Sequence, residues 1–172
     1  MSQPDFSKIF FDLYGGKPKK IRYSLREGAC RIHDLVFLSS FLHDARFFRS
    51  NMKLRGQRLT IETERDCWEL GFNKNELYTA KSRLIFTGVT DFRWEIDGIH
   101  NNCLSEELWI MSFYFVENYF LHKSDFYDLI MLGDDWKLTI KMKEYDSSMT
   151  MQDIEVPHLY AEKNNKTIAQ LT

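Results

Sequence analysis

Between Leu84 and Ile96 the chain alternates in character. Leu84, Phe86, Gly88, Thr90, Phe92, Trp94 and Ile96 share one parity, and Arg83, Ile85, Thr87, Val89, Asp91, Arg93 and Glu95 share the other. The first set is mostly apolar and the second mostly polar, which is the period-two pattern of a strand with one buried face. A helix cannot segregate these residues, because its faces repeat every 3.6 positions. A single strand reaching back to Lys81 is long, so a bulge or bend is predicted at Gly88. Asp97-Gly98 supplies a closing turn.

Two hairpins flank this stretch. In the first, Ala45 to Leu54 runs out, Arg55-Gly56-Gln57 turns, and Arg58 to Arg65 returns with Leu59, Ile61 and Thr63 opposed to Thr60, Glu62 and Glu64. A short loop with a central glycine is hairpin chemistry. The second covers Asp125 to Tyr145 and turns at Gly133-Asp134-Asp135. Its return places Trp136, Leu138, Ile140 and Met142 on one side and Lys137, Thr139, Lys141 and Lys143 on the other. That basic row reads as a solvated outer face or as an edge strand guarded by lysines. The tripeptides Leu59-Thr60-Ile61 and Leu138-Thr139-Ile140 echo each other, one followed by acids and the other by bases. Opposite charges of this kind would favour lateral pairing of the two hairpins or of two molecules.

The remaining segments are assigned by local signals. Phe6, Ile9, Phe10 and Leu13 lie on one helical face, with Asp5 as N-cap and Gly15-Gly16 as the stop. A loop rich in Lys and Arg then enters a strand at Ile21 to Leu25. Residues 29 to 42 fit a helix or a buried strand. Residues 66 to 81 read as connection, with Trp68 and Leu70 extending the strand before them and Glu76 to Lys81 forming a helical turn. Ser105 to His122 has apolar residues on both parities, and its aromatic density favours strand over helix. A last edge strand is predicted at Asp153 to Val156, followed by a loose tail from 160 to 172.

Composition sets the class. A chain of 172 residues that is 44% hydrophobic and 15% aromatic suits one domain, 1–172, with a packed interior. The expected fold is mostly β with some α: an antiparallel curved sheet, sandwich or partial barrel with one or two short helices. A net charge of -2 gives no field for nucleic acid or an anionic membrane. Cys30, Cys67 and Cys103 are odd in number and form no CxxC, which argues against a disulfide scaffold or a zinc knuckle and for a reducing, cytoplasmic setting. The opening MSQPDF carries no basic and apolar leader pattern. The longest apolar run, Leu108 to Val116, is too short to span a bilayer.

Chemistry is sparse. GxSxG, HExxH, GxGxxG and P-loop spacings are absent, and the five histidines show no ligand spacing, so neither metal nor cofactor is expected. Two His-Asp pairs, His33-Asp34 and His43-Asp44, invite comparison with the HD-type phosphohydrolases. Those enzymes are helical and need further His and Asp ligands. On a helix, ten residues amount to ~1000° of rotation, so the two pairs would not share a face. They read instead as histidines that donate to a neighbouring carboxylate or cap a strand. Carboxylates are plentiful, and none stands conspicuously on an apolar inward face. Asp128 comes nearest, and it reads as facing solvent.

The segments FLHDARFFRSNMKLRGQRLTIETER, SRLIFTGVTDFRWEI and FYDLIMLGDDWKLTIKMKEY contain a His-Asp-Ala step entering a hairpin and then Leu84, Phe86 and Val89 in a strand. Over residues 42 to 145 this layout resembles small bacterial β-rich domains of unknown role, some of which resemble immunity proteins of contact-dependent toxin systems. The resemblance implies a binding protein without catalysis and carries over no functional residue. Two functions follow from the whole sequence. The first is a non-enzymatic interaction domain that binds a protein partner or a second copy of itself. The second is a small-ligand binder or hydrolase built on a β cavity, in which the candidate catalytic residues His43 and Asp44 would converge with an aromatic such as Trp94.

Overall fold

Gly88 divides the organising stretch into two strands that belong to different sheets. The computed structural model describes residues 18–26, 38–70, 77–96, 107–115, 126–143 and 147–159. In chain order its strands are β1 (Arg22–Arg26), β2 (Ala45–Phe48), β3 (Met52–Arg55), β4 (Arg58–Asp66), β5 (Tyr78–Thr87), β6 (Val89–Ile96), β7 (Glu107–Ile110), β8 (Ser112–Phe115), β9 (Phe126–Leu132), β10 (Trp136–Lys143), β11 (Ser148–Asp153) and β12 (His158–Leu159). The larger sheet runs β1-β11-β5-β4-β2-β7, with β3 beside β4 and β12 beside β5. The smaller runs β6-β10-β9-β8. Every pairing is antiparallel.

The two sheets meet at two corners. At the first, β5 passes into β6 through Gly88, whose φ of 72° suits a residue without a Cβ. At the second, β7 passes into β8 through Met111. Strands that change sheet at a bend are how crossed sheets form a corner. The ladders break at both, so the fold is a β sandwich with short helical segments and not a closed barrel. The strand reading of 105 to 122 holds for β7 and β8. Residues 38–42 are helical. The predicted N-terminal helix, residues 29–37, the turn at Asp97-Gly98 and the tail from 160 to 172 lie outside the described residues.

Between the sheets the inward parities interlock. Leu59, Ile61, Leu84, Phe86, Leu129, Met131, Leu138 and Ile140 are buried in one cluster. Each such side chain contributes ~1.5–3 kcal/mol by leaving water. Phe47, Trp94 and Trp136 form an aromatic centre, with ring centroids 5.4 to 6.2 Å apart and Phe47 edge-on to Trp136. Gly133 belongs to this packing. A Cβ there would lie 1.9 Å from the Trp136 indole nitrogen, so the glycine makes room for the ring.

At one end of the larger sheet the inward face turns polar. Arg65 is 0% exposed and Asp153 2%. Arg65 Nε donates to Asp153 Oδ1 at 3.0 Å, and its Nη2 donates to Oδ2 at 2.8 Å. Ser82 Oγ donates to Oδ1 at 2.5 Å, and the Ile21 amide donates to Oδ2 at 3.0 Å. The guanidinium also lies 5.6 Å from the Phe41 ring centre. The network joins β4, β5, β11, the residue before β1 and the 38–42 helical segment.

Several expectations are corrected. Asp153 ends β11, a strand held between β1 and β5, and residues 154–157 are not strand; the last strand is β12, which pairs with β5 alone among the described strands. Asp153 is also a carboxylate on an inward face. Trp68 and Leu70 form a 3-10 turn, and Tyr78 to Lys81 open β5 as strand. The lysine row belongs to β10, which is central, between β6 and β9. Its lysines stand on the outer face, where Lys137 and Arg93 hydrogen-bond Glu95 and hold its carboxyl below the usual range. The two Leu-Thr-Ile copies lie on β4 and β10 in separate sheets, so the hairpins do not pair laterally.

Breaking the buried pair strands a charge in the core, which costs ~3–5 kcal/mol, whereas exchanging both partners for apolar residues is close to neutral. Asp153→Ala is therefore expected to lose roughly that much stability in urea unfolding, and Arg65→Met with Asp153→Leu to recover most of it.

Candidate functional site

The outer face of the larger sheet carries the parity opposite to Arg65 and the core. On β4 these residues are Thr60, Glu62, Glu64 and Asp66, and their neighbours on β5 are Ile85, Arg83, Lys81 and Thr79. Arg83 Nη2 donates to Glu62 at 2.7 Å, and Arg46 Nη2 on β2 donates to Glu64 at 3.0 Å. Both pairs are partly screened by water and contribute modestly. They fix the direction of the side chains around them.

The outgoing arm that the sequence predicts over Ala45 to Leu54 divides into β2 and β3. They are broken by a 3-10 turn at Arg49–Asn51. β2 pairs with β4 at Arg46↔Glu64, and pairing resumes at Met52↔Ile61, so the register steps by three residues. The extra residues open a groove of about 320 Å3 whose walls include Arg46, Phe48, Asn51, Glu64, Glu107 and Ile154. On the far side of β2, Arg46 faces Trp109 and Phe48 faces Glu107 on β7. The Arg46 guanidinium lies 5.3 Å from the Trp109 ring centre, a cation–π distance. Trp109 remains 42% exposed and Phe48 40%. A tryptophan, a phenylalanine and an arginine thus stand together on one outward face.

His43 and Asp44 form the turn that enters β2. His43 Nδ1 is 2.9 Å from Asp44 Oδ2, and the histidine is half exposed. Asp44 has a φ of 63°, a left-handed conformation that Asp tolerates better than most residues. Its amide donates to Ile110 O at 2.9 Å, and Trp68 Nε1 donates to His43 O at 3.4 Å. The pair therefore shapes the turn and ties it to β7. Neither residue lines the groove, and Trp94 packs with Phe47 and Trp136 under the Arg49 guanidinium. The structure does not bring His43, Asp44 and Trp94 together at this groove. His33-Asp34 lies outside the described residues. Asp128 pairs in register with Lys141 on the outer face of the smaller sheet. Among the described residues no three His, Cys, Asp or Glu gather as a metal site, and Cys67 is buried. No helix among them is long and apolar enough to cross a membrane.

The aromatic pair has a faint sequence signal. Phe48 and Trp109 each sit one step out of phase with a buried run, Ala45-Phe47 and Leu108-Ile110. Their meeting depends on the pairing of β2 with β7, which no local pattern encodes.

Asp66 closes the outer row of β4. Burial raises its carboxyl above the ordinary value of 3.8, Asp44 and Glu64 add to the rise, and Arg46 and Arg65 oppose it. The folded chain thus holds this proton to a higher pH than the unfolded chain. The resulting penalty is absent where both states are protonated, grows as pH rises from 3.8 through the raised value, and persists at neutral pH. Asp66→Asn is expected to melt above the wild type at about pH 7 and level with it near about pH 3, as read by thermal denaturation across that range.

Comparisons of the chain with protein-family models, with curated proteins and with solved structures found no match.

Proposed function

We propose that this protein is a non-enzymatic interaction domain that captures a partner protein on the outer face of the larger sheet, at β2 and β7. The observation that carries the reading is the exposed pair Phe48 and Trp109, set around Arg46 at the rim of the groove. Aromatic residues and arginine are enriched at protein interfaces, and Trp and Arg dominate the binding energy there. The arginine is already oriented by Glu64 and by the Trp109 ring, so less side-chain freedom is lost on binding. The groove beside it offers a recess for one partner side chain.

A cytoplasmic setting belongs to this proposal, supported by the three scattered cysteines. An immunity-like role, with a toxin domain as the partner, is its most specific form and rests on the resemblance of residues 42 to 145.

Native mass spectrometry of protein gently purified from its own cells tests the reading, with Trp109→Ala and Phe48→Ala as comparisons. A stoichiometric protein adduct is expected on the wild type. Each substitution removes an exposed ring that the fold does not bury and is expected to weaken the complex tenfold or more, a loss of about 1.4 kcal/mol or greater. An adduct retained equally by all three proteins would overturn the assignment of this face.

A further inference from the structure

The tip of the β3–β4 hairpin gathers positive charge that no ion pair balances among the described residues. Arg55 and Arg58 are directly opposed across the turn, and Lys53 lies two residues along on the same outer face. Directly opposed residues hold their Cβ atoms about 5 Å apart, and like charges there are destabilising. The neighbouring cations of this face are matched, Arg83 by Glu62 and Arg46 by Glu64. Lys53, Arg55 and Arg58 make no ion pair or side-chain hydrogen bond among the described residues. Gly56, with a φ of 58° at the first of two turn positions, holds the tip in the tight geometry of a II′ hairpin. The cations are therefore presented by a defined ribbon.

β3 is also an edge. It pairs with β4 alone among the described strands, so its alternate amides and carbonyls point away from the sheet. Beside them Leu54 is 47% exposed. A lysine on an edge commonly serves to repel other strands. One charge suffices for that, and it gives no reason to oppose two arginines.

We propose that β3 receives an extended acidic segment of a partner protein, added as a strand along its free edge, with carboxylates at alternate positions over Lys53 and Arg55 and beside Arg58. This rests on the reading of the chain as an interaction domain and names the chemistry of one partner. Strand addition supplies main-chain hydrogen bonds, and residues two apart on the incoming strand return to the same face, as Lys53 and Arg55 do. The small size of the patch favours a short peptide over a nucleic acid or a lipid surface. Either of those would spread negative charge across the same face, onto Glu62, Glu64 and Glu107, in a chain of net charge -2.

The test uses a fluorescein-labelled octapeptide of alternating Glu and Thr, with alternating Lys and Thr as control, read by anisotropy. The Glu peptide is expected to bind and to weaken as salt rises above about 0.1 M. Arg55→Glu converts the repelling pair into an attracting one. Its melting temperature is expected to rise by about 1–3 °C while peptide affinity falls at least tenfold. A structural role for the arginine would not move those two quantities in opposite directions. Equal binding by wild type and Arg55→Glu, equal binding of the Lys peptide, or binding of a single-stranded oligonucleotide or an anionic vesicle in preference to the Glu peptide would each overturn the proposal. Trp109→Ala should leave the octapeptide affinity unchanged, so the failure of one surface is separable from the failure of the other.

Discussion

Two opposite charges sealed inside the larger sheet constrain everything around them. Arg65 and Asp153 lie 88 positions apart in sequence and are joined by two parallel hydrogen bonds. A buried pair of this kind adds little net stability over an apolar pair, since desolvation cancels most of the attraction. Its effect is on register. A slip of β11 by one residue would turn Asp153 to the outer face and leave Arg65 alone in the core. The correct pairing, Asp153↔Ser82 and Arg65↔Ala80, is thereby separated in energy from its neighbours. The Ile21 amide completes the carboxylate, so the entry of β1 is fixed by the same group. Because Arg65 points inward, Glu62, Glu64 and Asp66 must point outward. The outer face, where the proposed interaction surface lies, is then set by the same choice of parity as the core.

The apolar end of the sandwich solves a different problem. Two strands have to serve both sheets, and each does so at a corner. Gly88 supplies a left-handed residue where β5 becomes β6, and backbone bonds from Val89 to Gln57 and from Lys143 to Gly88 stitch the corner shut. At the other corner the Met111 amide donates to Leu132 O. The aromatic centre fills the volume between the sheets, and Gly133 is small so that Trp136 can enter it. Polar register control at one end and aromatic filling at the other divide the work of specifying one fold.

Periodicity made individual strands legible and left their neighbours hidden. The alternation at Leu84 to Ile96 and at Trp136 to Lys143 was enough to place β5, β6 and β10, and Gly88 marked the bend. The lysines of β10 suggested an edge because a central antiparallel strand with one wet face alternates in the same way as an edge strand. Only its pairing on both sides distinguishes the two, and pairing is non-local. Arg65 and Asp153 each continue a visible inward parity, Leu59-Ile61-Thr63 and Met149-Met151. Each looks like the exposed end of a strand until its counterpart is known. The same holds for the face at β2 and β7. His43 and Asp44 were conspicuous as types, yet their geometry is that of a turn.

The three-residue step between β2 and β3 connects these features. With continuous pairing, β2 and β3 would form one straight strand beside β4, and the groove would be filled by backbone. The step instead carries β2 out to pair with β7, which brings Phe48 and Arg46 against Glu107 and Trp109. Among the described strands β3 pairs with β4 alone. The aromatic patch thus follows from a single local insertion, and the basic tip lies on the same outer face at the turn of the β3–β4 hairpin. Restoring the ladder would add backbone hydrogen bonds to the fold and close the groove. The proposed interaction face thus stands where the fold forgoes ladder hydrogen bonds, a local inconsistency of the kind folds confine to few places.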